Sequence, residues 1–157
     1  MKIAMGNDHA GLAMKLEIKE YLESQGHEVL DFGTHTTDAA DLADYILPAS
    51  LAVASGEADR GIFVDGVGFG SAMIANKLPG VYAAICQDPY CAKLSRWHCD
   101  CNVLCLGGKI IGSVIAMEIV KDWMAEPYWG EQEKYARRVG KVTAIDEKYI
   151  RRLNEVK

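Results

Sequence analysis

The chain has no cluster of lysine and arginine, and its 17 basic residues are outnumbered by 22 acidic ones for a net charge of −5. It therefore lacks the electrostatic footprint of a nucleic-acid binder. No apolar run approaches the roughly 18 residues that a membrane helix needs. Internal repeats and low-complexity segments are missing, and with them solenoid and disordered classes. The cysteines number five, an odd count, and all lie between Cys86 and Cys105. A secreted disulfide framework spaces its cysteines through the chain, so reduced thiols in a cytoplasmic protein are expected. His98, Cys99, Cys101 and Cys105 superficially suggest zinc. There is no C-x-x-C pair, however, and Cys105 sits inside the apolar run Val-Leu-Cys-Leu, so no metal is expected. The first strand begins almost at Met1, leaving no room for a signal peptide in front of it.

What is present is alternation of strand and helix. Half of the 157 residues are apolar, ample for the core of a single domain spanning 1–157. Short apolar runs at Lys2–Met5, His27–Phe32, Ile62–Val64, Val81–Cys86 and Val103–Leu106 read as strands. Helical spacing separates them: from Leu12, up to about Ser55, from Ser71, through Leu94 and Arg96 to His98, and over Val114–Met124. Gly33 to Asp44 reads as a polar loop, and Pro48 is tolerable only in a first helical turn or at a kink. A last helix is expected over about 130–155, and a long terminal helix of this kind commonly docks on a neighbouring subunit, although packing on its own domain is equally allowed. The order predicts an α/β fold, a three-layer α/β/α sandwich with a five-stranded parallel sheet, Rossmann-like.

The most informative stretch runs from Arg60 to Lys77. Ile62, Phe63 and Val64 read as a strand buried on both faces. Asp65 ends it, Gly66, Gly68 and Gly70 follow at alternate positions, and Ser71 opens a helix. Alternating glycines let several backbone N–H groups converge, a cradle for a phosphate or an oxyanion beside a carboxylate. The plain alternative is a tight turn with no ligand. Asp8 and His9 follow the first strand and His98 precedes the fifth, where open α/β sheets build sites, whereas His27 and His35 have no such placement. Dinucleotide binding is one candidate, with Asp88 about 20 residues beyond the glycines. The fingerprint G-x-G-x-x-G fails, since the third glycine is Ser71 or Met73 depending on the start.

The opening M-K-I-A-M-G-N-D-H-A-G, then E-V-L-D-F-G-T, A-S-G-E-A-D-R-G-I, the glycine stretch ending M-I-A-N-K, S-R-x-H-x-D-x-N-V-L-C-L-G and A-R-R-V-G-K resemble the ribose-5-phosphate isomerase B family. That family includes the galactose-6-phosphate isomerase subunits. The resemblance covers nearly the whole chain. It implies a cofactor-free aldose–ketose isomerase of sugar phosphates, working as a homodimer or homotetramer with sites shared between subunits. It also implies substrate contacts from Asp8, His9, Gly66, Val67, Gly68, Gly70, Ser71 and Cys99, ring opening assisted by His98, and phosphate binding by Arg138, Lys134 and Lys109.

The departures are equally specific. The family's usual cysteine base is Asp65 here, the usual hydroxyl residue is Val67, and the asparagine after the histidine is Cys99. Two arginines are Lys109 and Lys134, a histidine is Tyr135, and a loop tyrosine is Leu42. An aspartate at the position of Asp65 resembles one galactose-6-phosphate isomerase subunit, which works beside a different chain. Asp65 is already a base at neutral pH and is as short as a cysteine. Three roles follow for it: catalytic base, structural residue of a partner-dependent subunit, or part of a sugar-phosphate binder that has lost the reaction.

Overall fold

The computed structural model describes residues 1–150. The strands are β1 (Lys2–Asn7), β2 (Glu28–Asp31), β3 (Arg60–Asp65), β4 (Ala83–Ile85) and β5 (Val103–Gly107), all parallel, in the order β2-β1-β3-β5-β4. The helices are α1 (Leu12–Ser24), α2 (Leu42–Ser55), α3 (Phe69–Ala75), α4 (Pro89–Cys99), α5 (Ser113–Ala125) and α6 (Glu133–Ile145), and one π-helical turn follows over Asp146–Ile150. The expected α/β fold with a five-stranded parallel sheet is what the chain forms.

Side-chain alternation along the three central strands builds the layers. Ile3, Met5, Ile62, Val64, Leu104 and Leu106 point to one face, where Met14, Ile18 and Leu22 of α1 and Ile119, Val120 and Trp123 of α5 cover them. Ala4, Phe63, Val103 and Cys105 point to the other, under Ile46, Ala49 and Val53 of α2 and Ala72 and Ala75 of α3. A strand buried on both faces needs apolar residues throughout, which is why these runs are unbroken in the sequence. β1 connects leftward to β2, and the chain then crosses to β3 on its other side. The carboxyl ends of β1 and β3 thus flank the point where strand order reverses, the place where such sheets bind ligands.

Several boundaries differ from expectation. α2 starts at Leu42, inside the expected loop, and carries Pro48 in its interior rather than in its first turn. The carbonyl this proline leaves without its in-helix donor belongs to Asp44, an exposed residue. The last helix starts at Glu133 and not at Gly130, because Trp129 N–H donates to the Trp97 carbonyl (3.1 Å) and its ring stacks on Trp97 at 4.5 Å. α6 packs on its own chain: Tyr135 is buried, and Tyr82 reaches Thr143 (3.1 Å) and Asp146 (3.4 Å) beyond it. Val142, Ile145 and Tyr149 stay exposed. The part of the expected terminal helix beyond residue 150 lies outside the described residues.

Candidate active site

Three loops meet at the carboxyl edge of the sheet because glycines let their backbones touch. A Cβ on Gly11 would lie 2.0 Å from the Val64 carbonyl oxygen, so only glycine lets the turn after β1 lie on β3. Gly108 N–H donates to the Asp65 carbonyl (2.7 Å), and Lys109 N–H to that of Gly66 (3.0 Å), tying the loop after β5 to the loop after β3. The edge therefore gathers Asp8, His9, Asp65, Gly66, Val67 and Lys109, with Lys109 Cδ within 3.7 Å of a Cβ built on Gly66. Leu42 reaches over the same loop, its Cδ2 2.5 Å from where a Gly70 side chain would start.

Asp8 accepts the N–H groups of Ala10 (2.9 Å) and Gly11 (3.1 Å) through Oδ1, which fixes the turn and leaves Oδ2 directed elsewhere. His9 Nδ1 accepts from Ala40 N–H at 3.4 Å, so the loop after β2 leans on the histidine. That loop is held at its start by Asp31, whose carboxylate pairs with the fully buried Lys15 at 2.7 Å and accepts Gly33 N–H at 3.0 Å.

Asp65 has the most constrained surroundings. Its Oδ1 accepts the N–H groups of Val67 (2.7 Å) and Gly68 (2.5 Å), and its Oδ2 accepts the N–H (2.8 Å) and hydroxyl (2.6 Å) of Ser71. Gly68 takes φ +84°, the left-handed conformation that turns its N–H inward. The convergence expected of the glycine loop is present, and the anion at its focus is the chain's own carboxylate. Burial pushes this carboxyl up, but the bonds from Ser71, Val67 and Gly68 outweigh it and hold the group below its ordinary value. Asp65 is thus an anion at neutral pH whose four acceptor positions are filled. Ser71, expected among the substrate contacts, is itself buried against it.

The remaining expected residues lie elsewhere. His98 and Cys99 end α4, just before β5 begins, at the amino edge of the sheet. There His98 stacks on Tyr135 (centroids 4.4 Å apart, planes 10° apart) and meets the edge of Trp129 at 5.7 Å. Lys134 Nζ and the Arg138 guanidinium lie 4.6 and 5.8 Å from the same Tyr135 ring. A cavity of about 350 Å³ opens beside them, lined by His98, Cys99, Cys101, Arg138, Tyr82 and Val142 among others. Sequence reasoning noted Tyr135 only as a departure and missed Trp129; their signal, aromatic residues flanking the α6 cations, carries no chemistry until the histidine is seen between them. Among the described residues no group of three metal-ligating side chains forms. The buried thiols of Cys86 and Cys101 are pushed up to about 12 by loss of water, and burial also pushes up that of Cys105, so these cysteines act as apolar packing.

The family model described as Ribose/Galactose Isomerase matches residues 3–142. The ribose-5-phosphate isomerase B of Escherichia coli is 42% identical over 94% of this chain and 97% of its own length. A 4-deoxy-4-sulfo-D-erythrose isomerase from a Clostridium species is 34% identical over 97% of this chain and 99% of its own. The solved structure of Clostridium thermocellum ribose-5-phosphate isomerase B superposes with a TM-score of 0.91 at 44% identity, covering 95% of this chain and 99% of that one. With sequence and architecture agreeing end to end, the chain belongs to the ribose/galactose isomerase family and is an enzyme, a sugar-phosphate isomerase.

Proposed function

We propose that the protein interconverts an aldose phosphate and a ketose phosphate without a cofactor, at a site completed by two copies of the chain. One observation carries this reading: the two halves of the required chemistry lie on opposite edges of one sheet. The carboxylate and glycine loop sit where β3 ends, while His98, Lys134 and Arg138 sit where β5 begins. β5 spans Val103 to Gly107, four steps at about 3.3 Å each, so roughly 13 Å of strand separates the edges. A proton-transferring group must approach within about 3 Å of its target. A substrate at Asp65 is served by the histidine and cations of a second copy, whose exposed α6 residues are free to pack there.

In this reading Asp65 takes the proton from C2 of the open-chain aldose and returns it to C1, while the hydroxyl proton on O2 passes to O1, giving the ketose. The electron pair rests meanwhile on an enediolate. Oδ2 becomes available when the Ser71 hydroxyl, the one donor that can rotate, turns away. The N–H groups of Phe69 and Gly70, at the start of α3, have no acceptor within the helix and are left for the enediolate oxygen. Asp8, His9, Gly66, Gly68 and Val67 line the sugar, Lys109 adds positive charge, and His98 moves the proton that opens a cyclic sugar. Lys134 and Arg138 hold the phosphate beside Cys99; they are four apart on α6 and so share one face. Apolar Leu42 and Val67 beside the carboxylate favour a sugar other than ribose 5-phosphate.

The filled acceptor positions of Asp65 favour a second reading, in which this carboxylate only holds the loop and the chain needs a cysteine-bearing partner or merely binds the sugar. Proton exchange in deuterated water separates the two. Four- to six-carbon aldose and ketose phosphates are offered to the wild type and to Asp65→Asn. The proposed function predicts deuterium uptake with at least one sugar and its loss in the variant. Binding without exchange supports the second reading, whereas exchange surviving in Asp65→Asn assigns the base to another group and overturns both.

A further inference from the structure

His98 is oriented in an unusual way for a proton-transferring histidine. Such imidazoles are commonly fixed by a carboxylate or carbonyl on the second nitrogen. Among the described residues, no hydrogen bond holds either nitrogen of His98. Its ring lies flat on Tyr135, 4.4 Å between centroids and 10° between planes, with the edge of Trp129 at 5.7 Å. Tyr135 is 6% exposed and is the one buried residue of α6. Trp129 is fixed in turn by stacking on Trp97, whose indole N–H donates to Glu126 at 2.6 Å. The support is therefore rigid back to the body of α4.

The same Tyr135 ring draws in two cations. Lys134 Nζ lies 4.6 Å and the Arg138 guanidinium 5.8 Å from its centroid, within the range of attraction to an aromatic face. Lysine and arginine side chains otherwise lose rotamer freedom when a ligand fixes them. A shared ring orders them before any phosphate arrives.

We infer that Tyr135 is a positioning residue that acts through its ring face, setting the orientation of His98 and the spacing of Lys134 and Arg138 in one piece. The inference rests on the reading of this edge as the acid and phosphate side of the site. Among the described residues both imidazole nitrogens are without a hydrogen-bond partner, so His98 can accept a proton at one and release one at the other without breaking a bond to them. The tyrosine hydroxyl plays no part.

The test compares Tyr135→Phe with Tyr135→Leu in the intact oligomer, using two readouts that need no turnover. The first is the imidazole proton resonances of His98, which the Tyr135 ring current shields. Tyr135→Leu is expected to move them downfield and Tyr135→Phe to leave them in place. The second is the affinity for inorganic phosphate, expected to fall about three- to tenfold in Tyr135→Leu and to hold in Tyr135→Phe. Should the leucine variant not fold, nuclear Overhauser contacts between the Tyr135 and His98 rings in the wild type decide, and their absence overturns the inference. Equal damage from phenylalanine and leucine also overturns it, because the hydroxyl is then what matters. So do unchanged resonances and phosphate affinity in a folded leucine variant. If no sugar phosphate is turned over yet both readouts respond as expected, the function fails while the positioning role stands.

Discussion

Replacing Asp65 by asparagine tests how much of this fold depends on one carboxylate. In the native loop Oδ1 serves Val67 and Gly68, and Oδ2 serves the N–H and hydroxyl of Ser71. An asparagine oxygen can keep the first pair, now as neutral rather than charge-assisted bonds. Its amide then faces the Ser71 N–H, donor against donor, while the hydroxyl turns round to accept. One buried N–H is stranded, costing about 1–3 kcal/mol, and two bonds lose roughly half their strength. The sum is a loss of about 3 kcal/mol, and Asp65→Ala, which strands every donor, loses more. The folded-state carboxyl is held below its ordinary value, so this stabilisation is present above the unfolded value of about 4 and fades as pH falls through the folded one. Urea unfolding at neutral pH should show the full gap between wild type and variant, and unfolding at acid pH a narrowing one. A variant within about 0.5 kcal/mol of wild type at neutral pH would refute the reasoning.

Other substitutions probe other joints. Lys15→Met leaves Asp31 without its buried partner and should lower stability by about 3 kcal/mol in thermal or urea unfolding, also loosening the loop that leans on His9. Gly11→Ala pushes a methyl into the Val64 carbonyl and should cost about 3 kcal/mol or prevent folding, whereas Gly112→Ala, with open space around it, should be silent in the same assay. Thiol titration of the native protein should leave Cys86, Cys101 and Cys105 unlabelled until denaturant is added, since they are buried and Cys91 and Cys99 are exposed.

The sheet was legible because its central strands are buried on both faces and so spell unbroken apolar runs such as Ile62–Val64. The edge strands were longer in the sequence reading than in the structure, since Val81, Tyr82 and Cys86 are apolar enough to extend β4 although only Ala83–Ile85 pair with β5. The convergence of N–H groups at the glycine loop was legible from residue spacing alone. That it closes on Asp65 depends on the left-handed turn at Gly68, which spacing does not encode. The separation of His98 from Asp65 follows from connectivity: α4 returns the chain to the amino edge, so a residue just before β5 cannot share an edge with one ending β3. Tyr135 and Trp129 matter only through what they stack on, and a linear pattern holds no trace of that.

The central claim, that each site joins the carboxyl edge of one copy to the amino edge of another, is tested most directly by mixing two crippled variants. Asp65→Asn and His98→Asn are each inactive alone on this account. Unfolded together and refolded, half the dimers are mixed, and each mixed dimer holds one site with both native groups, so about a quarter of wild-type exchange activity should return. No recovery, with mixed dimers demonstrated by mass, would contradict the account.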